Sequence, residues 1–335
     1  MKRVTIRDVA NRAGLSVGTV SRVLNHKRVS RKALEAVTQA IEELGYAPNA
    51  VAQSMRTQTT RAVGLVVNDI SNPLFSGIAR ALDEVLHARG YSLLIANTDN
   101  DPRRERLIID SLKQRRIDGL AIAVSDETDV HTTALLRSVE FPVVLLDREL
   151  EIPADKVCDN HSNGMKKAIR YLFDLGHRDI ALITGGNDVR PGRERARGYL
   201  EAFREGGVPV NEGRLRQGRL DSSFGYEEAC RILKEEPRPT ALVAGGNQIL
   251  TGVLRAVRQF DIRIPADLSL ISCDEIDLTA LMNPPITVIT RDIERIGTLA
   301  AELLLRRIAG QPTADYSRQV VSTELLVRES CARLE

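Results

Sequence analysis

The stretch Thr5-Ile6-Arg7-Asp8-Val9-Ala10-Asn11-Arg12-Ala13-Gly14-Leu15-Ser16-Val17-Gly18-Thr19-Val20-Ser21-Arg22-Val23-Leu24-Asn25 reads as two short helices with a stop between them. Thr5 is a good N-cap, and Asp8 three residues on can satisfy the first free amides. Gly14 supplies the left-handed residue that ends a helix near Ala13. Ser16 caps a second helix that runs to about Asn25. Two helices joined by a three-residue turn containing glycine form a helix-turn-helix, whose second helix suits the DNA major groove.

Working outward, Ser30 opens a third helix. Leu34, Val37, Ile41 and Leu44 mark its apolar face and Gly45 its end. With Val9, Val20 and Leu24 this gives a minimal three-helix core. Pro48 breaks the chain, and Asn49 can cap a segment from Ala50 to about Gln58 that is too short to be a stable helix alone. Charge sets this region apart. Residues 1–60 carry ten Lys or Arg against four acids, whereas the whole chain has a net charge of only +2. A basic head on a mildly acidic body is the footprint of a nucleic-acid reader joined to something else.

Two blocks at their proper distance now make a family legible. Thr5 to Ala10, Ala13 to Ser16 and Thr19 to Asn25, followed by Gly45-Tyr46-Ala47-Pro48-Asn49-Ala50-Val51-Ala52-Gln53-Ser54-Met55, resemble the head and hinge helix of the LacI/GalR transcription regulators. The resemblance implies that Val17, Gly18 and Arg22 read bases, with Arg22 able to grip guanine through two hydrogen bonds. It implies phosphate or positioning contacts for Thr5, Ser16, Thr19, Ser21, Asn25, Ser30 and Asn49. Ala52, Met55 and Arg56 would meet the minor groove, Met55 as an apolar wedge. Capping is an equally good reading of Ser16 and Ser30, and the two roles are compatible.

From Ala62 onward, apolar β-rich runs alternate with helical periodicity: strands at 62–68, 91–97, 117–124, 142–147, 179–184, 240–244 and 268–272, helices at 75–89, 103–116, 162–175, 193–205, 223–234 and 248–260. This pattern implies parallel sheets covered on both faces, in two α/β lobes, with ligands beyond the carboxyl ends of the strands. No G-x-G-x-x-G follows the first strand, and no phosphate loop or G-x-S-x-G elbow occurs. Cys158, Cys230, Cys273 and Cys331 show no C-x-x-C spacing, and the five histidines show no metal-ligand spacing. The body reads as a binding module, not an enzyme, with no cofactor. No run approaches membrane-spanning length, and the N-terminus lacks the apolar stretch of an export signal, so the expected place is the cytoplasm, with no membrane partner.

The resemblance extends along nearly the whole chain through Asp69-Ile70-Ser71-Asn72-Pro73, Leu175-Gly176-His177-Arg178, Pro284-Pro285-Ile286-Thr287 and Leu326-Val327-Arg328-Glu329-Ser330. It implies an all-α helix-turn-helix head (1–46), a hinge helix (47–61) and a two-lobed α/β core of the type I periplasmic-binding-protein kind with parallel sheets (62–335). One lobe would hold about 62–159 and 289–319, the other about 160–288 and 320–335. The family's effector positions fall on Asp147, Arg195 and Asp274, with Ser71, Asn72 and Phe75 on the other lobe. Leu220, Cys273 and Asn247 depart from the family's usual residues, and fewer acids beside Arg148 and Arg195 would suit a sugar acid over a neutral sugar. The expected protein is a homodimeric repressor on a pseudo-palindromic operator in double-stranded DNA, controlled by a small sugar-like or sugar-acid effector. A transporter's solute-binding protein and a nonspecific architectural DNA protein are the alternatives.

Overall fold

The computed structural model describes residues 4–24, 28–46, 59–311 and 315–334 and divides into two units, Met1–Thr60 and Arg61–Glu335. In the first unit each helix begins and ends where local chemistry dictates. Helix α1 (Ile6–Ala13) opens on a capping box, in which Asp8 N donates to Thr5 Oγ1 at 3.4 Å and Thr5 N to Asp8 Oδ2 at 2.8 Å. It ends at Gly14, φ 64°. Helix α2 (Val17–Leu24) follows, with Ser16 Oγ accepting from Thr19 N at 3.1 Å. Helix α3 (Arg31–Leu44) is capped by Ser30 and closed by Gly45. Their shared core is Val9, Ala10, Val20, Val23, Val37 and Ala40. Leu34, expected on the apolar face, is instead 47% exposed, because the small Ala33 and Ala40 beside Val37 form the buried face of α3. Asn25 and the expected hinge, with Asn49, Ala52, Met55 and Arg56, lie outside the described residues.

The second unit begins with strand β1 (Ala62–Val67), buried at every residue after the first. It continues as α4 (Pro73–His87), β2 (Ser92–Asn97), α5 (Pro102–Gln114), β3 (Gly119–Ile122), α6 (Val130–Arg137), β4 (Val143–Leu146) and β5 (Asp155–Asp159). The second half adds α7 (His161–Asp174), β6 (Ile180–Gly185), α8 (Arg190–Glu205), β7 (Leu215–Gly218), α9 (Ser222–Leu233), β8 (Ala241–Ala244), α10 (Asn247–Gln259), β9 (Ser269–Cys273), α11 (Asp277–Leu281) and β10 (Thr287–Arg291). Then come α12 (Ile293–Ile308), β11 (Arg318–Val321) and β12 (Thr323–Leu326).

Two sheets result, in the orders β11-β5-β4-β3-β1-β2 and β12-β10-β9-β8-β6-β7. Every pairing is parallel except β10 with β12. The chain passes between the lobes three times: after Asp159, after Arg291 and between β11 and β12. The second passage follows Arg291, not position 289, because β10 keeps its pairing with β12 through Arg291. Continuous apolar strands such as β3, β4 and β8 are buried throughout, as parallel strands covered on both faces must be.

Candidate functional site

Both lobes turn the carboxyl ends of their strands toward one cleft, which is where an open α/β sheet places its ligands. After β1 come Asn68 and Asp69, after β4 Asp147 and Arg148, after β8 Gly246 and Asn247, and after β9 Asp274. These residues, with Asn72, Phe75, Asp159, Arg195, Leu220, Gln248 and Arg291, line a cavity of about 90 Å³. A single water needs about 10–15 Å³ on this measure, so there is room for several waters or a small ligand. Asp147 and Asp274 occupy matching strand-end positions and both hold left-handed backbone, φ 52° and 72°. Strain of this kind in a non-glycine residue persists where the surroundings over-determine it, often at ligand sites.

Those surroundings are an ionic network joining the lobes. The Arg291 guanidinium, on a side chain 5% exposed, reaches Asp274 at 2.8 Å and Asp147 at 3.4 Å and contacts Asp159. Arg190 Nη1 donates to Asp147 Oδ1 at 2.7 Å and to the Asp159 carbonyl at 2.9 Å. His161 Nε2 lies 2.6 Å from Asp147 Oδ2. Burial alone would raise the Asp147 carboxyl, but His161, Arg291 and Arg190 outweigh it and hold it well below the usual carboxylate range. Burial lowers the His161 imidazole against the pull of Asp147. Asp159 is raised by burial that Arg291 only partly offsets. Ligand atoms of Asp147, Asp159 and His161 lie within 4.8 Å of one another, but two guanidinium groups already sit on these carboxylates and oppose a metal cation.

Local structure explains how α8 delivers its arginines. Its first turn packs so tightly on the loop after β6 that a Cβ at Gly192 would sit 2.1 Å from the Gly186 carbonyl. The helix has no side-chain cap of its own. Its Arg190 N donates to Glu127 Oε1 of the facing lobe at 2.7 Å, and Arg193 Nη2 reaches Glu127 Oε2 at 2.5 Å. A carboxylate at a helix N-terminus is favourably placed. Arg195 donates to the Gly245 carbonyl at 2.7 Å and stands 3.8 Å from Asp274, too far for a hydrogen bond. Two further bonds cross the cleft: Asn247 Nδ2 to Asn72 Oδ1 at 2.7 Å and Gln248 Nε2 to Asp69 Oδ2 at 3.2 Å.

Of the residues expected at an effector site, Asn72, Phe75, Asp147, Arg195, Leu220, Asn247 and Asp274 line the cavity. Ser71 does not; it is exposed and donates to Asp69 Oδ1 at 2.6 Å. Beside the expected Asp147 and Asp274 the cavity wall carries a third aspartate, Asp159, and each of the three has a cationic partner. Sequence reasoning missed Arg291, Asp159, His161, Arg190 and Asn68. For Arg291 a signal existed, since it ends the β-branched stretch Ile286-Thr287-Val288-Ile289-Thr290, where a strand's carboxyl end would fall.

In the head, Val17 is 42% exposed, and Gly18 and Arg22 are exposed on the same helix. The hydroxyl oxygens of Thr5, Ser16 and Ser30 accept cap hydrogen bonds. Ser16 Oγ and Thr19 Oγ1 lie 3.0 Å apart, and Ser21 is partly buried.

Comparison with known proteins agrees with this division of labour. The profile described as bacterial regulatory proteins, lacI family, matches residues 5–49. That of a periplasmic binding protein-like domain matches residues 169–331. Over 328 residues the chain is 34% identical to the ribose operon repressor of Escherichia coli strain K12, covering 97% of this chain and 99% of that protein. It is 33% identical over 329 residues to the HTH-type transcriptional repressor PurR of Haemophilus influenzae strain PittEE, covering 97% and 98%. The Lac repressor dimer bound to operator and the anti-inducer ONPF superposes with a TM-score of 0.87 at 27% identity, covering 99% of this chain and all of that one. These proteins are regulators, not enzymes.

Proposed function

The chain belongs to the lacI family of bacterial regulatory proteins and is a DNA-binding transcriptional repressor under the control of a small molecule, and from that premise we propose that its effector is a small polyhydroxylated metabolite held between the lobes. The observation that carries this reading is the pairing of Arg195 with Asp274 across 3.8 Å at the cavity wall. A guanidinium and a carboxylate so spaced offer a donor and an acceptor to hydroxyl groups, which need both. Asn68 Nδ2, Arg195 Nε and Arg291 Nε are buried donors without partners among the described residues, and ligand oxygens or water would satisfy them. Phe75 is the lone aromatic among the described lining residues, which suits a polyol better than a stacked planar ring.

On this reading the protein works in the cytoplasm as a homodimer. The exposed face of α2 reads a pseudo-palindromic operator through Val17, Gly18 and Arg22, while Thr5, Ser16, Thr19, Ser21 and Ser30 meet phosphates. The effector acts by its differential affinity for two arrangements of the lobes, so the coupling is reciprocal. The test selects operator DNA from a random pool with the purified protein, then repeats binding with a panel of sugars, sugar acids and sugar phosphates. A polyhydroxylated compound that changes operator affinity by about ten-fold or more bears out the reading. Response only to a non-hydroxylated compound defeats it.

A further inference from the structure

Of the four aspartates that line the cavity, three have a cation against them: Asp147 has Arg190 and Arg291, Asp159 has Arg291, and Asp274 has Arg291 and Arg195, while Asp69 accepts from Gln248 and Ser71. Arg148 is the exception on the cationic side. It is 6% exposed, it lines the cavity, and among the described residues no carboxylate lies within 4.0 Å of it. Its hydrogen bonds go to uncharged oxygens: Nε to the Val124 carbonyl at 2.7 Å, Nη1 to the Asp147 carbonyl at 3.0 Å, and Nη2 to Asn68 Oδ1 at 3.2 Å. A guanidinium has five N–H donors. Three are used here, which leaves one on each terminal nitrogen.

Asn68 supplies an independent second observation. It is 5% exposed and also lines the cavity. Because its Oδ1 accepts from Arg148, its amide orientation is fixed, and Nδ2 is left buried without a partner. Donors without acceptors, beside a buried positive charge without a counter-ion, form half of a recognition site. The charges nearest in effect are Asp147, Glu127, Glu105 and Asp188, and burial outweighs all of them in making the ionised arginine costly. Asp147 is committed to Arg190, His161 and Arg291, and Glu127 to Arg193. The Glu105 carboxyl is pushed up to about 7, chiefly by burial, so near neutrality it supplies only part of a charge.

We propose that Arg148 and Asn68 together bind an anionic group of the effector, a carboxylate or a phosphate carried on a polyhydroxylated skeleton. The two remaining N–H groups of Arg148 match in number the two oxygens of such a group, and the Asn68 amide adds a third donor. This deepens the reading above and rests on it. The polyol contacts fall to Arg195 and Asp274, while the anion contact falls to a different pair, on the first lobe.

The experiment compares D-ribose, D-ribonate and D-ribose 5-phosphate, and D-glucose with D-gluconate, by isothermal titration against the full-length protein and its Arg148→Gln and Arg148→Lys variants. The expected result is that ribonate, ribose 5-phosphate or gluconate binds at least about ten-fold tighter than its neutral counterpart, as charge-assisted hydrogen bonds warrant. Which anion gains assigns the site to carboxylate or to phosphate. Arg148→Gln abolishes the preference, whereas Arg148→Lys keeps part of it. Operator binding without ligand verifies that each variant is folded. If neither variant folds, the preference of the unaltered protein decides. Neutral sugars binding as tightly as their acids would overturn the inference while leaving the polyol reading intact. So would an anion preference that survives in Arg148→Gln. No binding by any of the five compounds would defeat the polyol reading, and this inference with it.

Discussion

Arg291→Met removes the charge at the centre of the network and keeps most of the side-chain volume. Three carboxylates, those of Asp159 and Asp274 buried and that of Asp147 nearly so, then lose a partner at once: Asp274 at 2.8 Å, Asp147 at 3.4 Å and Asp159 in direct contact. Breaking a buried pair from one side costs about 3–5 kcal/mol, because an uncompensated charge is left behind. Asp147 keeps Arg190 and His161, and Asp274 keeps a distant Arg195, so the loss belongs within that range and not at a multiple of it. At ~2–4 °C per kcal/mol for a body of this size, the melting temperature falls by roughly 10 °C. The pH dependence provides a second check. Burial raises the Asp274 carboxyl, but Arg291 and Arg195 lower it below its ordinary value; Asp147 behaves likewise. Their contribution in the unaltered protein is present at neutral pH and lost as pH falls through those depressed values. In the variant, burial prevails and the carboxyls rise, so the penalty is full at neutral pH and fades as they take up protons. The gap between the two proteins therefore narrows from pH 7.5 toward pH 5. Thermal unfolding at both pH values reads it directly. A variant within about 2 °C of the unaltered protein at pH 7.5, or a gap that widens on acidification, refutes the reasoning.

Glu105, fully buried and accepting from Ser125 N and Oγ, has its carboxyl raised to about 7 by burial. Ionising it opposes folding by up to ~3 kcal/mol, an effect that grows as pH rises from about 4.5 to 7. Glu105→Gln should then raise the melting temperature at pH 8 and give no gain below pH 5; a gain equal at both ends would sink this account. Arg195→Ala should leave operator affinity near normal and abolish the effector response in a gel-shift titration, since the ligand's differential contact is gone. Arg22→Ala should relax specificity at one base pair per half-site by ~1–3 kcal/mol, measured on an operator series; an equal loss for every sequence would contradict base reading. Glu127→Ala removes the acceptor that caps α8 across the cleft. It should weaken effector binding by about ten-fold and enlarge the unliganded protein in solution scattering, and unchanged values of both would show that the contact holds nothing shut.

The sheets were legible because their strands obey a rule that sequence displays. A strand covered on both faces must be apolar throughout, and Ala62 to Val67 is so in the sequence and in the fold. Strand β5, Asp155-Lys156-Val157-Cys158-Asp159, was missed because it breaks that rule: two of its five residues are carboxylates, and both are buried. Each can be so because a distant arginine meets it, Arg307 for Asp155 at 2.8 Å and Arg291 for Asp159. Such pairs, more than a hundred positions apart in sequence, leave no periodic trace. Arg195 illustrates the same limit from within a charged run. Four of the five residues from 193 to 197 are charged, yet only Arg195 among them is a buried charge, and that choice depends on where α8 lies against the sheet. Helix ends in the head were legible for the opposite reason. Thr5, Gly14, Ser30 and Gly45 act on amides and carbonyls a few residues away, so their meaning is local.

The contacts that cross between the lobes are polar: Asn72 with Asn247, Asp69 with Gln248, Glu127 with α8, and the ion pairs of Arg190 and Arg291 with Asp147 and of Arg291 with Asp159. The neutral bond between Asn72 and Asn247 nets only about 0.5–1.5 kcal/mol, because water replaces it when the cleft opens, and the charged contacts yield only what desolvation leaves. A join made of exchangeable polar contacts is one whose population a ligand contributing a few kcal/mol can govern. A large apolar seam would have fixed the lobes regardless of the effector. Asp147 sharpens the coupling, for it ends a strand of one lobe, lines the cavity, and accepts from Arg190 of the other lobe. A ligand group that competes for its oxygens must therefore act on the join between the lobes as it binds. That is the arrangement a ligand-controlled switch requires, since occupancy and lobe geometry then share the same atoms.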